Sequence, residues 1–249
     1  MKVLKLQLNG IKKNLENKLK LSVIICVFNE IKTIDLIIEK VLRSNLPDNI
    51  KKEIIIIDNN SFDGTKDKLK KYENIKNIKI IYNNKNYGKG YSIRLGIKEA
   101  KGDFVIFQDA DLEYDPKDYI KLLNHLISKK IDFVYGSRIL NNKKYHIYNI
   151  HKYAVVFFTL LINTAYKSNF TDTATNYKLF RSKIIKNIEL NSNSFAIDFE
   201  ITIRLVKKGY LFDEIPISYY PRKYIDGKKI NIIDAFKSFL MIINLIIFK

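Results

Sequence analysis

Three carboxylates follow a short apolar run near the middle of the chain, and their type and spacing suit metal chemistry. The run covers residues 104–107, and Asp109, Asp111 and Glu113 occupy alternate positions after it. Alternate side chains of an extended segment point the same way, so this spacing predicts three carboxylates converging beyond a strand end. A hard divalent ion held by carboxylates and phosphate oxygens would relieve their mutual repulsion. The alternative is a solvated turn, because a D-x-D pattern is also common by chance.

The elements around this stretch predict an α/β fold with a mostly parallel sheet. Buried strands are predicted at residues 21–28, 53–57, 78–82, 104–107 and 131–135, with helical patterns between them. Asn29 is predicted to cap the first helix, and Asp115 with Pro116 to begin the helix after the carboxylates. Ligands of open α/β sheets bind beyond the carboxyl ends of the strands. The carboxylates therefore lie where a ligand is expected.

The second half of the chain is less regular and ends in an apolar segment. Helices are predicted at 153–166 and 195–208, and a strand at 211–219 that Pro216 restricts to a sheet edge. The apolar run at the end is too short for a membrane span of about 20 residues. We expect an amphipathic helix lying in a membrane interface, the alternative being a helix docked on the core. The predicted organisation is a basic leader (1–20), an α/β domain (21–229) and an interface helix (230–249).

The amino-acid composition limits the classes of protein to which the chain can belong. A chain of 249 residues with 47% hydrophobic content can build a sizeable core. Its single cysteine and the absence of a signal-peptide-like apolar stretch in residues 1–20 predict a reducing, cytoplasmic setting. The net charge is +18, but only six of the 44 basic residues are arginine, and the lysines are spread along the chain. We therefore expect attraction to an anionic membrane surface and no nucleic-acid binding. Arginines in loops, Arg138 and Arg222, are the better candidates for forked recognition of phosphate or carboxylate.

Several segments resemble motifs of glycosyltransferase family 2, the inverting GT-A enzymes. They are the opening strand at 22–30, the turn at 58–65, the segment at 86–96 and the D-x-D motif at 108–111. The strand has Cys26 where a proline is usual, and the turn resembles D-D-G-S-x-D-G-T with asparagines replacing its second aspartate and its glycine. Segments 136–138, 171–181 and 214–229 resemble the branch that glycosylates polyprenyl phosphates, the dolichyl-phosphate mannose synthase-like enzymes. The resemblance covers residues 21–235.

The resemblance implies a Rossmann-like GT-A domain that moves a sugar from a GDP- or UDP-sugar to a dolichyl or undecaprenyl phosphate. The reaction would use Mg²⁺ or Mn²⁺ on the cytoplasmic face of a membrane. The implied metal ligands are Asp109, Asp111 and Glu113. The implied donor-binding residues are Asn29, Glu30, Asp58, Asn60, Lys89, Gln108 and Asp109. The implied catalytic residues are Asp109, Asp111 and Arg138, and the implied acceptor-binding residues are Arg138, His151, Lys152 and Arg222.

Three other functions remain open from the sequence. A family 2 transferase acting on a sugar hydroxyl would need a general base, for which Asp198 or Glu200 is the candidate, whereas a phosphate acceptor is already anionic at pH 7. A nucleotidyltransferase would require a glycine-rich basic loop after the first strand, where this chain has Phe28-Asn29-Glu30. A non-enzymatic membrane-surface or nucleic-acid-binding protein would have no use for three gathered carboxylates.

Overall fold

The computed structural model describes residues 18–140, 149–222 and 232–248, without the side chains of residues 149–151 and 232. The strands in these ranges are β1 (Leu19–Val27), β2 (Ile50–Asp58), β3 (Ile78–Tyr82), β4 (Phe104–Asp109), β5 (Phe133–Ser137), β6 (Lys178–Arg181) and β7 (Phe212–Pro216). The helices are α1 (Ile34–Arg43), α2 (Thr65–Lys70), α3 (Lys89–Glu99), α4 (Tyr119–Ser128), α5 (Asn149–Tyr166), α6 (Ser182–Ile185), α7 (Ile197–Lys207) and α8 (Ile232–Ile247).

The strands form one seven-stranded sheet in the order β3-β2-β1-β4-β6-β5-β7. Neighbours pair in parallel, except that β6 is antiparallel to both β4 and β5. The predicted mostly parallel α/β sheet is confirmed, and so is the edge position of the strand that ends at Pro216. Strand β6 was not predicted, because its four residues have a charged side chain at each end and show no apolar run.

The sheet is buried on both faces because its central strands are apolar at successive positions. Alternate residues of β1 pack on opposite sides, Val23 and Ile25 against α1 and α4, and Ile24 against α3 and α7. This packing fixes the register in which β1 pairs Val27 with Asp58 of β2 and Cys26 with Asp109 of β4. The carboxyl ends of the three strands therefore meet at one edge of the sheet.

Two predicted boundaries change in the structure. Strand β1 begins at Leu19, so the last residues of the predicted leader belong to the sheet, while residues 1–17 lie outside the described ranges. Asn29 does not cap α1, because it adopts a left-handed conformation (φ 50°) and the helix begins only at Ile34. The predicted cap at Asp115 is confirmed: its carboxylate accepts a hydrogen bond from the backbone N–H of Lys117 at 3.1 Å.

Helix α8 packs on α5 and α7 through a separate apolar cluster. The buried members of this cluster are Phe158, Ile162, Phe199, Ile203, Ile242 and Leu245. The opposite sides of α5 and α8 keep large apolar side chains exposed, among them Leu160 and Phe236. Helix α8 is thus docked on the domain through one face, as the alternative interpretation held, while its other face stays open. Among the described helices, none combines the length and apolarity that crossing a membrane requires.

Candidate active site

A cavity of about 840 Å³ lies at the carboxyl ends of β1, β2 and β4. Next to the strand ends, the wall of the cavity is polar and includes the two aspartates of the D-x-D motif and the start of α3. On the far side its wall is mostly apolar and comes from α5, α7 and α8, through Ala154, Val155, Phe158, Phe199 and Ala235. One continuous space therefore joins an acidic edge to an apolar groove.

The D-x-D carboxylates enter this cavity from a turn. Strand β4 ends at Asp109, and the chain then reverses through Leu112, which has a φ of 65°. Asp109, Asp111 and Glu113 all line the cavity. However, the described residues hold no group of three or more His, Cys, Asp or Glu side chains placed to bind one metal ion. The three carboxylates gather at this cavity through a turn and not through strand alternation, because the segment is not extended beyond Asp109, and their joint role as metal ligands stays a prediction.

Glu113 instead fastens the segment after β7 to the site. Its Oε2 accepts a hydrogen bond from the Tyr219 hydroxyl at 2.7 Å, and its Oε1 accepts one from the backbone N–H of Arg222 at 2.8 Å. Its backbone carbonyl accepts a further bond from the N–H of Tyr220 at 2.8 Å. These bonds tie the segment after β7 to the turn after β4 through Glu113, while the role of Glu113 as a metal ligand stays a prediction.

Arg222 lies beside the carboxylates of the D-x-D motif. Its guanidinium forms two bonds of 3.0 Å with Glu30 and approaches Asp111 to 3.2 Å. Arg222, a predicted acceptor-binding residue, therefore already balances two acidic side chains at the acidic edge of the cavity. Its position bridges the end of β1 and the turn after β4.

Asp109 and Asp111 fit a divalent cation. Burial and the neighbouring charges of Asp109 and Glu113 raise the pKa of Asp111 to about 7, although Arg222 acts in the opposite direction. Burial likewise raises the pKa of Asp109, against the effect of Lys89. Burial is the largest cause at both groups, so their charged forms are poorly solvated and would be stabilised by a cation. Such a pair suits Mg²⁺ or Mn²⁺, which takes its other ligands from diphosphate oxygens and water.

A chain of alternating charges continues from Asp109 into the domain. The amine of Lys89 lies 3.3 Å from Asp109 and 3.6 Å from Asp198, and the buried amine of Lys178 lies 3.3 Å from Asp198. Burial alone would lower the pKa of Lys89, but the two aspartates outweigh burial and raise it. Lys89 therefore stays positively charged at the edge where a diphosphate would bind.

Lys89 is held in place by a close backbone contact at the start of α3. The N–H of Gly90 donates to the carbonyl of Asn193 at 2.9 Å. A Cβ at position 90 would lie 2.2 Å from the carbonyl oxygen of Ser192, so only glycine allows this approach. The same contact brings the Phe195 ring to 5.5 Å from the Lys89 amine.

The predicted donor residues fall into two groups. Glu30, Lys89 and Asp109 line the cavity. Asn29, Asp58, Asn60 and Gln108 do not, and the structure gives each of them a role in the fold.

These four residues form the turns around the cavity or support its wall without lining it. Asn29 and Asn60 have φ values of 50° and 65° and form the turns after β1 and β2. The carboxylate of Asp58 accepts the N–H of Ser61 within its own turn at 3.1 Å. Gln108 is 1% exposed, and its Oε1 accepts the hydroxyls of two buried tyrosines at 2.6 and 2.7 Å.

Asn59 is a cavity residue that the sequence reasoning missed. Its side-chain Oδ1 accepts the N–H of Tyr87 at 3.0 Å, and its Nδ2 donates to Asn86 at 2.6 Å. All three of these residues line the cavity. The signal was present, because Asn59 occupies the position of the second aspartate in the resembled turn motif.

Arg138, a predicted acceptor-binding residue, forms a buried ion pair. Its Nε and Nη2 donate to the two carboxylate oxygens of Asp172 at 2.7 Å each, and its backbone N–H donates to the same group at 3.1 Å. Burial would raise the pKa of Asp172, but the charge of Arg138 holds it below its usual value. The guanidinium also faces the Tyr219 ring at 5.2 Å. This geometry supports a structural role for Arg138 at the cavity wall.

The remaining predicted residues are separated by the structure. The side chain of His151 lies outside the described residues, and Lys152 is exposed at the start of α5, away from the cavity lining. Of the two candidate bases, Asp198 lines the cavity. Glu200 does not, because its carboxylate accepts the N–H groups of Asn191 and Ser192 at 3.0 and 2.8 Å.

Known proteins resemble this chain in sequence and in fold. The family described as Glycosyl transferase family 2 matches residues 22–189. The dolichol-phosphate mannosyltransferase of Pyrococcus furiosus is 25% identical over 189 residues, which are 75% of this chain and 53% of that protein. The cholesterol galactosyltransferase of Borreliella burgdorferi is 41% identical over 95 residues, 38% of this chain and 26% of that protein. The chain thus spans about half or less of the length of these relatives.

A solved structure extends the likeness to the whole domain. Glucosyl-3-phosphoglycerate synthase from Mycobacterium tuberculosis, solved with Mg²⁺ and uridine diphosphate, has a TM-score of 0.66 at 13% identity. The match covers 95% of this chain and 82% of that chain. At this identity the likeness shows the fold alone, and it confirms the predicted fold class.

Proposed function

Because the chain belongs to glycosyl transferase family 2, as its motifs predicted, we propose that it transfers a sugar from a nucleotide-sugar to a polyprenyl phosphate. The observation behind this proposal is the cavity, whose acidic edge continues into an apolar groove between α5, α7 and α8. A nucleotide-sugar is polar along its whole length and does not account for the groove, whereas an isoprenoid chain does. The relative from Pyrococcus furiosus, named for dolichol phosphate, agrees with this choice.

The donor would bind at the acidic edge. Asp109 and Asp111 would hold the divalent ion, and Lys89 would add a fixed positive charge next to them. When bound, the ion would act as a Lewis acid that neutralises the diphosphate as it leaves. Asn59 and Asn86 offer amide groups on the same wall for the nucleoside.

The acceptor would reach the sugar from the apolar groove. A phosphate monoester has its second pKa at about 6 and is mostly dianionic at pH 7, so it attacks without a base. Attack from the side opposite the leaving diphosphate inverts the anomeric carbon. Asp198, which carries ion pairs to Lys89 and Lys178, then serves to fix these two lysines.

A lipid hydroxyl is the second candidate acceptor. Asp198 lines the cavity and could remove a proton there, and the relative from Borreliella burgdorferi is named for transfer to cholesterol. An apolar groove suits a sterol as well as an isoprenoid. Glu200 is not a candidate, because the loop at 191–192 already occupies its carboxylate.

The domain would attach peripherally to the cytoplasmic face of a membrane through the outer sides of α5 and α8, which we call the apolar face. Its exposed residues are Tyr153, Val156, Phe157, Leu160, Ile233, Phe236 and Leu240. Both helices also line the apolar groove, so a lipid could pass from the membrane into the cavity without crossing water. The net charge of +18 adds attraction to anionic lipids.

The test is a transfer assay with purified full-length protein. UDP- and GDP-sugars are offered with a polyprenyl phosphate, with the matching polyprenol, and with cholesterol. We expect transfer to the phosphate only, an inverted anomer in the NMR spectrum, and loss of turnover with EDTA.

Asp111→Asn should lower turnover by at least about 100-fold, as expected for lost Lewis-acid assistance. The matched control is Asp67→Asn, which alters an exposed aspartate on α2 and should leave the rate unchanged. Transfer to the polyprenol or to cholesterol, with no transfer to the polyprenyl phosphate, would refute the proposed acceptor and support transfer to a lipid hydroxyl.

A further inference from the structure

Among the residues that the structure describes, four positively charged side chains line the cavity, and three of them are already balanced by carboxylates. Lys89 lies between two aspartates, and Arg138 is paired in full with Asp172. Arg222 is bound by two further acidic groups. An incoming phosphate would have to compete with these carboxylates for each of the three cations. The fourth is Lys237.

Lys237 lies on α8 and reaches the cavity from the apolar side. Its side chain is exposed, and within residues 18–140, 149–222 and 232–248 no ion pair or hydrogen bond engages its amine. It follows Phe236, a residue of the apolar face, while the next residue, Ser238, is buried and also lines the cavity. The amine is thus at the boundary between the apolar face and the polar interior.

This boundary is where the phosphate of a membrane lipid would enter. A lysine next to a membrane surface can bury its aliphatic stem in an apolar environment while its ammonium group reaches a phosphate. Asp234 lines the same wall one helical turn earlier, and its negative charge would keep the phosphate on the Lys237 side. The ammonium group offers three donors and one full charge to an acceptor that carries about −1.5 to −2.

We propose that the amine of Lys237 binds the phosphate of the lipid acceptor at the mouth of the cavity between α5 and α8. This inference rests on the proposed function and adds to it the cation that selects a phosphorylated lipid. Sequence reasoning gave Lys237 no role, because it lies inside a segment read only as an apolar interface helix.

Steady-state kinetics of the full-length chain test the proposal. The KM for a short, water-soluble isoprenyl phosphate and the KM for the nucleotide-sugar are measured for Lys237→Gln and Lys237→Arg. The control is Lys98→Gln, which alters an exposed lysine on α3. A charge-assisted hydrogen bond corresponds to roughly tenfold or more in affinity. We expect Lys237→Gln to raise the KM for the isoprenyl phosphate by at least that factor and to leave the donor KM unchanged. The arginine variant should recover most of the affinity, and the control should behave as wild type.

A second measurement uses the wild-type protein alone. The isoprenyl phosphate should protect Lys237, but not Lys98, from an amine-acetylating reagent, with modification read by mass spectrometry. If wild type transfers to the phosphate while Lys237→Gln keeps the wild-type acceptor KM and Lys237 stays unprotected, the inference fails and the proposed function stands. If wild type transfers to the unphosphorylated lipid equally well, both fail.

Discussion

Replacing Asp172 by asparagine decides whether Arg138 belongs to the fold or to acceptor binding. The two side chains are 7% and 0% exposed, and they share two bonds of 2.7 Å. The variant leaves the guanidinium buried without its counter-charge, and breaking such a pair costs about 3–5 kcal/mol. A chain of this size loses about 2–4 °C of melting temperature per kcal/mol. We therefore expect Asp172→Asn to melt roughly 6–20 °C below wild type.

The assay is thermal and urea unfolding, followed by kinetics at a temperature where the variant is folded. Glu39→Gln is the control, because it breaks an exposed pair with Arg43 whose side chains are 51% and 82% exposed. Screened surface pairs of this kind contribute little, so its melting temperature should not change measurably. The folded Asp172→Asn enzyme should keep the wild-type KM for the lipid phosphate. An unchanged melting temperature together with a tenfold higher acceptor KM would refute the structural role and return Arg138 to the acceptor site.

Three further outcomes follow from the described contacts. Because the pKa of Asp172 is lowered, its ion pair contributes fully to stability above the ordinary aspartate pKa of about 4. This contribution should disappear as pH falls through the lowered pKa, and urea unfolding from pH 6 to pH 2 measures the loss. Glu200→Gln should lower the free energy of unfolding by about 1–3 kcal/mol, because two backbone N–H groups depend on this carboxylate, and it should spare the chemical step in single-turnover kinetics. The double variant Phe236→Ser/Leu240→Ser should weaken sedimentation with anionic liposomes by about tenfold or more without lowering the melting temperature. The control Leu36→Ser, on an exposed part of α1, should leave sedimentation unchanged.

The sequence by itself determined the parallel strands of the sheet and the place of the site. Strand β4 follows from the apolar run at 104–107, and the D-x-D motif follows directly at its end. The parallel arrangement follows from the alternation of strands and helices, since parallel strands need a crossover between them. These features depend on residues close together in the chain, where spacing alone limits the geometry. The apolar character of α8 is likewise local, although its docking on α5 and α7 is not.

Only the tertiary structure decided which charged groups the cavity leaves available. Arg138 meets Asp172 across 34 residues, Glu113 meets Tyr219 across 106, and Arg222 meets Glu30 across 192. No periodicity links positions so far apart, because these pairs form only where separate loops are brought together by the packed sheet. The same packing leaves the amine of Lys237 at the cavity mouth with no carboxylate bound to it among the described residues. A sequence shows which side chains carry charge, but pairing depends on distances of a few ångströms that only the folded chain sets.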